Sequence, residues 1–195
     1  GNVHFESIVI VFVLLGLYAI RRKLMVLTGM AFGLAAATKL IPLIFLAGLG
    51  WSYKWRKGIV ICVVAIIIFG LSLFPMLSNA FKNGMTESLT LYFQSFEFNG
   101  SIYYVIREIG FWVKGYNIIQ TLGPRLAATA VIGIITVAIW GGYKKLPIAE
   151  VLLFSLTIYL TLSTTVHPWY ILPLLPLGLL AGYKFPIVWS FVIFG

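Results

Sequence analysis

The sequence predicts an all-α polytopic membrane protein, and three observations carry that expectation. Hydrophobic residues make up 61% of the chain, charged residues only 10%, and the mean hydropathy is +1.04; a soluble domain carries about 25% charged residues. Apolar runs of about 15–20 residues recur, the length that takes a helix across a ~30 Å hydrocarbon core. Those runs do not alternate polar and apolar residues, as the strands of a membrane barrel would. The formal charge of +9 sits in short loops between the runs. The expected partner is therefore the lipid bilayer and not nucleic acid.

About seven transmembrane or half-spanning helices are expected, in a single transmembrane domain over 1–195. Residues 1–6 form a polar lead-in, and Ser7 is expected to cap a helix from about Ser7 to Ile20. Arg21-Arg22-Lys23 ends it. A second run goes from Leu24 to Thr38, is interrupted by Lys39, and resumes from Leu43 to Trp51 after Pro42. Each half is short, so the pair reads either as two short helices meeting at a break or as two tilted spans. Lys54, Arg56 and Lys57 precede a clear span from Gly58 to Leu77. Residues 78–122 are the least apolar and read as an outer-face loop with one or two interfacial helices, Met85–Ser95 and Ser101–Lys114. The second sets Ile102, Val105, Ile106, Ile109 and Val113 on one side. Spans resume at Pro124–Tyr143, Leu146–Thr164 and Trp169–Tyr183, and a last begins at Pro186. The chain starts without a methionine and stops inside an apolar run, and is expected to be a fragment of a longer protein. Cys62 reads as a small buried apolar residue, and one cysteine builds no disulfide framework.

Loop parity tests this division. If Arg21-Arg22-Lys23 lie inside and Lys39 marks a turn between two crossings, nine Lys/Arg fall inside and five outside. Glu6, Glu87, Glu97 and Glu108 fall outside, and Glu150 near the inner face. The bias obeys the positive-inside rule. The same parity collects Asn2, His4, Glu6, Lys39, the Glu97–Arg107 region and His167 at one outer rim.

At that rim Thr164-Thr165-Val166-His167-Pro168-Trp169-Tyr170 lies between two apolar runs. Trp169 and Tyr170 suit a boundary between hydrocarbon and water. His167 reads as an interfacial histidine bonded to a carbonyl, or as a phosphate or sugar contact. Glu6, beside His4, is a solvated helix start or a carboxylate for sugar hydroxyls, and a weak candidate for catalysis. Lys39 snorkels to the interface or faces a polar cavity near Pro42 and meets a phosphate. Arg107 and Glu108, with Tyr103 and Tyr104, form a solvated helix face or a place where a guanidinium fork meets phosphate and flat rings meet sugar. Glu97 and Asn99 cap the next helix or touch substrate, with capping the expectation for Asn99. The histidines lack zinc-motif spacing, and no phosphate loop or dinucleotide fingerprint is present. The chain contains no aspartate, which excludes a Ser/His/Asp triad within it.

Several of these stretches resemble a known group. Gly1-Asn2-Val3-His4-Phe5-Glu6-Ser7-Ile8 resembles the element that opens a span in the GT-C superfamily. The nearest likeness is to the glycosylphosphatidylinositol-type and bacterial polyprenol-phosphate-mannose-dependent mannosyltransferases. The resemblance continues through Arg21-Arg22-Lys23, Gly33-Leu34-Ala35-Ala36-Ala37 and Lys39-Leu40-Ile41-Pro42-Leu43. It includes Phe96-Glu97-Phe98-Asn99-Gly100-Ser101-Ile102-Tyr103-Tyr104 and ends with His167-Pro168-Trp169-Tyr170-Ile171-Leu172-Pro173. It implies a hexosyltransferase, expected to be a mannosyltransferase, that moves a sugar with inversion from a polyprenyl-phosphate donor to a glycan or glycolipid acceptor. No nucleotide is required, and a divalent metal is possible. The resemblance also implies that the main catalytic acid lies in a loop upstream of this fragment, which is then inactive alone. Lys39, Arg107 and His167 would serve the donor phosphate. Glu6, Glu97 and the tyrosines would serve sugar or acceptor. The expected location is a bacterial inner membrane, with the site facing the periplasm or exterior. The rival expectation is a transporter or flippase of a lipid-linked or small polar substrate, with broken helices and intramembrane charge. Polar residues gathered at one rim, and the lack of a visible repeat, weigh against it. A third reading is a structural membrane subunit.

Overall fold

The computed structural model describes residues 5–52 and 55–193, without the side chains of residues 52, 79, 80, 82, 89 and 92–94. Asn2, His4 and Lys54 lie outside the described residues, as does the side chain of Lys82. The chain is all-α. Its helices in order are α1 (Glu6–Arg21), α2 (Met25–Thr38), α3 (Phe45–Ser52), α4 (Trp55–Leu73), α5 (Asn79–Gln94), α6 (Ser101–Lys114), α7 (Ile119–Lys144), α8 (Ile148–Leu162), α9 (Leu174–Ala181) and α10 (Phe185–Val192). Short 3₁₀ turns at Ile41–Ile44, Phe74–Met76 and Pro168–Ile171 join some of them, each with a proline in its first two positions.

Helix directions follow from where glycines let backbones meet. A Cβ on Gly29 would sit 2.7 Å from the Ile61 carbonyl, and one on Gly33 would sit 2.7 Å from that of Ala65. A glycine every fourth residue thus lets α2 lie directly on α4, and the matching order of contacts makes the two helices parallel. The intervening α3 must then run back. A Cβ on Gly58, near the start of α4, would sit 2.4 Å from the carbonyl of Gly50, near the end of α3. Of the two readings of the Lys39 interruption, a chain reversal between two antiparallel helices is therefore the one that forms.

The core lies between α1, α2, α3, α8 and α9. Val13, Leu17, Phe32, Phe45, Leu49, Leu152, Leu156 and Leu177 are buried there. A smaller cluster joins Tyr103 of α6 to Ile119, Leu122 and Leu126 of α7. Two segments, Trp55–Met76 and Ile119–Lys144, are long and apolar enough to cross a membrane. Most of α4 is exposed, including Val63, Ile66, Ile67 and Leu71. An apolar helix left uncovered in this way needs hydrocarbon around it.

Several boundaries differ from the sequence expectation. Ser7 lies inside the first turn of α1 and Phe5 is the cap residue, with no side-chain cap bond. The helix expected from Met85 begins at Asn79, because the Ser78 hydroxyl accepts the Phe81 N–H at 3.1 Å. The span expected from Pro124 begins at Ile119, whose N–H is accepted by Asn117 Oδ1 at 3.0 Å; Pro124 is inside the helix. The Trp169–Tyr183 run divides into a 3₁₀ turn and α9 around Pro173.

The apolar stripe of α6 points mostly outward. Val105, Ile109, Trp112 and Val113 are exposed, and contact with the core is made by Tyr103, Ile106 and Gly110. In a bilayer setting the apolar side of an interfacial helix points to lipid, so it is the small and polar-tipped residues that pack inward.

The end of the bundle that carries Arg21 is closed by three left-handed caps. Lys23 (φ 62°), Lys145 (φ 54°) and Gly182 (φ 79°) hold positive φ. Leu24, Leu146 and Tyr183 donate back to the carbonyls of Ala19, Gly141 and Gly178 at 2.9 Å each. That pairing is the Schellman pattern, here with lysine twice in place of glycine. Cations at helix C-termini meet the negative end of the dipole.

Gly33→Leu is expected to overpack the α2–α4 contact at a cost of about 1–3 kcal/mol. It should lower the unfolding temperature of the detergent-purified protein. Gly70→Leu, where nothing lies within 4 Å, should leave that temperature nearly unchanged.

Candidate functional site

At the end of the bundle opposite Arg21, the polar residues form two adjoining clusters. The first begins with Glu6, in the opening turn of α1 and 3% exposed. Its Oε1 pairs with Lys39 Nζ. Lys39 closes α2 in an extended conformation (φ −157°, ψ 139°), which aims the next residues into the Pro42 turn. Its ammonium also lies 4.1 Å from the ring centroid of Tyr170, an arrangement that favours a cation over an aromatic face. Tyr170 meets His167 edge to face at 5.2 Å. His167 is held between two rings: Trp169, parallel at 4.6 Å, and Phe98 at 4.9 Å. Pro168 keeps His167 extended (φ −70°, ψ 147°), as a residue before proline prefers.

The second cluster centres on Glu97. Its carboxylate accepts from Tyr103 Oη, from Arg107 Nη1 at 2.8 Å and from Asn117 Nδ2 at 3.2 Å. Arg107 Nη2 donates to Glu108 at 3.0 Å, and the guanidinium lies 4.5 Å from the Tyr104 ring centroid. Burial works to raise the Glu97 pKa. The hydrogen bonds from Tyr103 and Asn117 and the Arg107 charge outweigh it and hold the carboxyl below its usual range. The Tyr103 phenol is pushed up, first by burial and then by its bond to Glu97. Glu97 is thus ionised at neutral pH, with its lone pairs engaged, which suits a positioning group better than a base.

One extended segment joins the clusters. Phe98 N–H donates to Thr164 O at 3.0 Å, Val166 N–H to Phe98 O at 2.7 Å, and the Thr165 hydroxyl to Phe96 O at 3.1 Å. Alternation along the segment sends Phe96 and Phe98 toward His167 and Glu97 to the other side. Asn99 turns the chain at φ 51°. Its N–H donates to Tyr104 Oη at 3.1 Å and its side chain to Ile193 O at 3.3 Å. Gly100, not Asn99, is the cap residue of α6, which corrects the capping expectation. A Cβ on Gly100 would sit 2.9 Å from Thr164 O, so only glycine lets the two segments approach.

The structure thus brings together Glu6, Lys39, His167, Trp169 and Tyr170 on one side of this segment, and Glu97, Tyr103, Tyr104 and Arg107 on the other. Sequence reasoning missed Asn117 and Phe98. A polar residue just ahead of an apolar run was the available signal for Asn117; Phe98 lies within the stretch 96–104, with no local signal of its contact with His167. The cavity beside Glu6 and Lys39, lined also by Pro42, Phe45, Leu156 and Tyr170, has a volume of about 20 Å³, room for one water. Glu6 Oε2 is buried there without a protein partner. Any larger substrate group must sit on the open rim. Among the described residues no three His, Cys or Glu side chains gather in a metal-binding group.

A membrane protein whose carboxylates, cations and aromatic rings gather at one rim has the groups needed to bind a polar, charged substrate at the bilayer surface. The chain belongs to glycosyltransferase family 87, whose family model matches residues 4–168, and it is a membrane glycosyltransferase. The matched region contains Glu6, Lys39, Glu97, Arg107 and His167 and ends at Pro168. No curated protein and no solved structure matches the chain.

Lys39→Met should cost about 3–5 kcal/mol of stability, because it leaves the Glu6 carboxylate buried without its cation. Glu6→Gln with Lys39→Met should recover most of that loss in thermal unfolding; a double variant as unstable as Lys39→Met would refute the pairing. The depressed Glu97 pKa adds stability above the unfolded carboxylate value of about 4.3, and the gain is lost as pH falls through the lower folded value. Glu97→Gln should therefore lower the unfolding temperature at pH 7 and approach wild type near pH 3.

Proposed function

We propose that the protein transfers a sugar, mannose in the first instance, from a polyprenyl-phosphate donor to an acceptor hydroxyl on the non-cytoplasmic side of the membrane. The observation that carries this is the Lys39 ammonium, fixed by Glu6 and Tyr170 at the rim beside His167. In such a transfer the acceptor oxygen attacks the anomeric carbon as its proton passes to a general base, and the carbon–oxygen bond to the phosphate breaks. The lipid phosphate leaves with the electron pair, and a preorganised cation stabilises the charge as it develops. Lys39 has three N–H donors; Glu6 and Tyr170 direct the group without covering it, and the side chain is 28% exposed. His167 adds a second hydrogen-bonding group beside it. Trp169 and Tyr170 offer flat faces to a pyranose ring.

The multi-pass topology and its orientation belong to the same proposal. Helix directions put Arg21, Arg22, Lys23, Arg56, Lys57, Lys144, Lys145 and Lys184 at one end and the Glu6–Lys39 pair at the other. The positive-inside rule makes the first end cytoplasmic, so a lipid-linked donor would be used on the far side, where nucleotide sugars are scarce.

The test is transfer from radiolabelled polyprenyl-phosphate mannose by the full-length protein in membranes. Lys39→Ala and His167→Ala should each lower transfer on the order of 10²-fold per folded protein. Transfer from a nucleotide sugar, with none from any polyprenyl-phosphate sugar, would overturn the donor assignment. Full transfer by both variants would overturn the site.

A further inference from the structure

A second cavity beside a charged group lies at the other end of the bundle. It has a volume of about 310 Å³ and is lined by Leu14, Leu17, Tyr18 and Arg21 of α1, Ile148 at the start of α8 and Leu180 of α9. That is the lower end of the range for small-molecule sites. We infer that this groove binds an anionic phospholipid, with the phosphate on Arg21 and one acyl chain along α1.

The order of groups on α1 supports this occupant. Val11, Leu14, Tyr18 and Arg21 recur at spacings of three and four and so share one face of the helix. All four are exposed, Val11 at 62%. Read from mid-span to the rim, the stripe is apolar, apolar, amphipathic and cationic. A phospholipid presents the same sequence as chain, glycerol and phosphate. The walls are built to match: Leu17 and Ile20 are buried beneath the stripe.

The charge at the mouth is uncompensated by protein. Arg21 is followed by Arg22 and Lys23, all exposed. Among the described residues no carboxylate pairs with any of the three. Arg22 is tied to the wall instead, with Nε donating to Tyr18 Oη at 3.1 Å and the guanidinium 5.3 Å from that ring centroid. The carboxylate on this turn of α8, Glu150, does not line the cavity and accepts the Tyr183 hydroxyl at 2.8 Å. A basic pocket between membrane helices, with apolar walls, selects anionic headgroups.

The test uses the full-length protein purified in mild detergent, titrated with phosphatidylglycerol or phosphatidylcholine and read by native mass spectrometry. One phosphatidylglycerol per protein should be retained about tenfold more strongly than phosphatidylcholine, as expected for a built basic site of two or more cations. Arg21→Gln should weaken retention about fivefold, and Leu180→Trp, which fills the groove at an exposed position, should do so with the charges intact. Both variants should keep the wild-type unfolding temperature without lipid and keep sugar transfer, since neither residue is at the Lys39 rim. Equal retention of the two lipids, or undiminished phosphatidylglycerol on both variants, would refute the site. Displacement by millimolar inorganic phosphate would show an anion site that does not need a lipid, and would overturn this assignment too.

Discussion

A lysine at the end of an apolar helix must find water or an anion, and here Lys39 finds Glu6. The pair is 33 residues apart in sequence and closes the end of the α1–α2 hairpin. A carboxylate as buried as Glu6 would cost several kcal/mol without its cation, so the approach of α2 to α1 is tied to this contact. Tyr170 then takes its place over the ammonium, which brings the segment after α8 to the same rim. The position of His167 follows from Tyr170, Trp169 and Phe98. The candidate site is therefore built outward from one ion pair.

The extended segment around Phe98 transmits this order to the second cluster. Because side chains alternate along it, the same few residues present a ring to His167 and a carboxylate to Arg107. Asn117 serves both sides of a boundary, since its Oδ1 accepts the Ile119 N–H at the start of α7 and its Nδ2 donates to Glu97. Glu97, Arg107 and Tyr103 pair with one another, which fits a brace under the rim.

The two ends of the bundle differ in electrostatic kind. At the Glu6 end, Glu6 pairs with Lys39 and Glu97 with Arg107, both among aromatic rings. At the Arg21 end, Lys23 and Lys145 sit in left-handed helix caps, and no ion pair joins a cation there to a carboxylate among the described residues.

The all-α class, the apolar helices and the sorting of charge were legible in the sequence, because hydrophobic length and loop charge are local quantities that need no partner. The Lys39 turn was legible too, since an ammonium and a proline break an apolar run wherever it packs. The shared rim of Glu6, Lys39, Glu97, Arg107 and His167 followed from loop parity alone. Which of them touch did not. Glu6 and Lys39 could each be read as a solvated end until α1 and α2 placed them side by side. Asn99 was expected to cap a helix, and only the approach of residues 164–166 gave that place to Gly100. The early start of α7 and the outward apolar face of α6 were likewise decided by tertiary structure, through an asparagine bond to the first turn and a hydrocarbon surround. Periodicity specifies that a helix has two faces; what lies against each face is a property of the packed bundle.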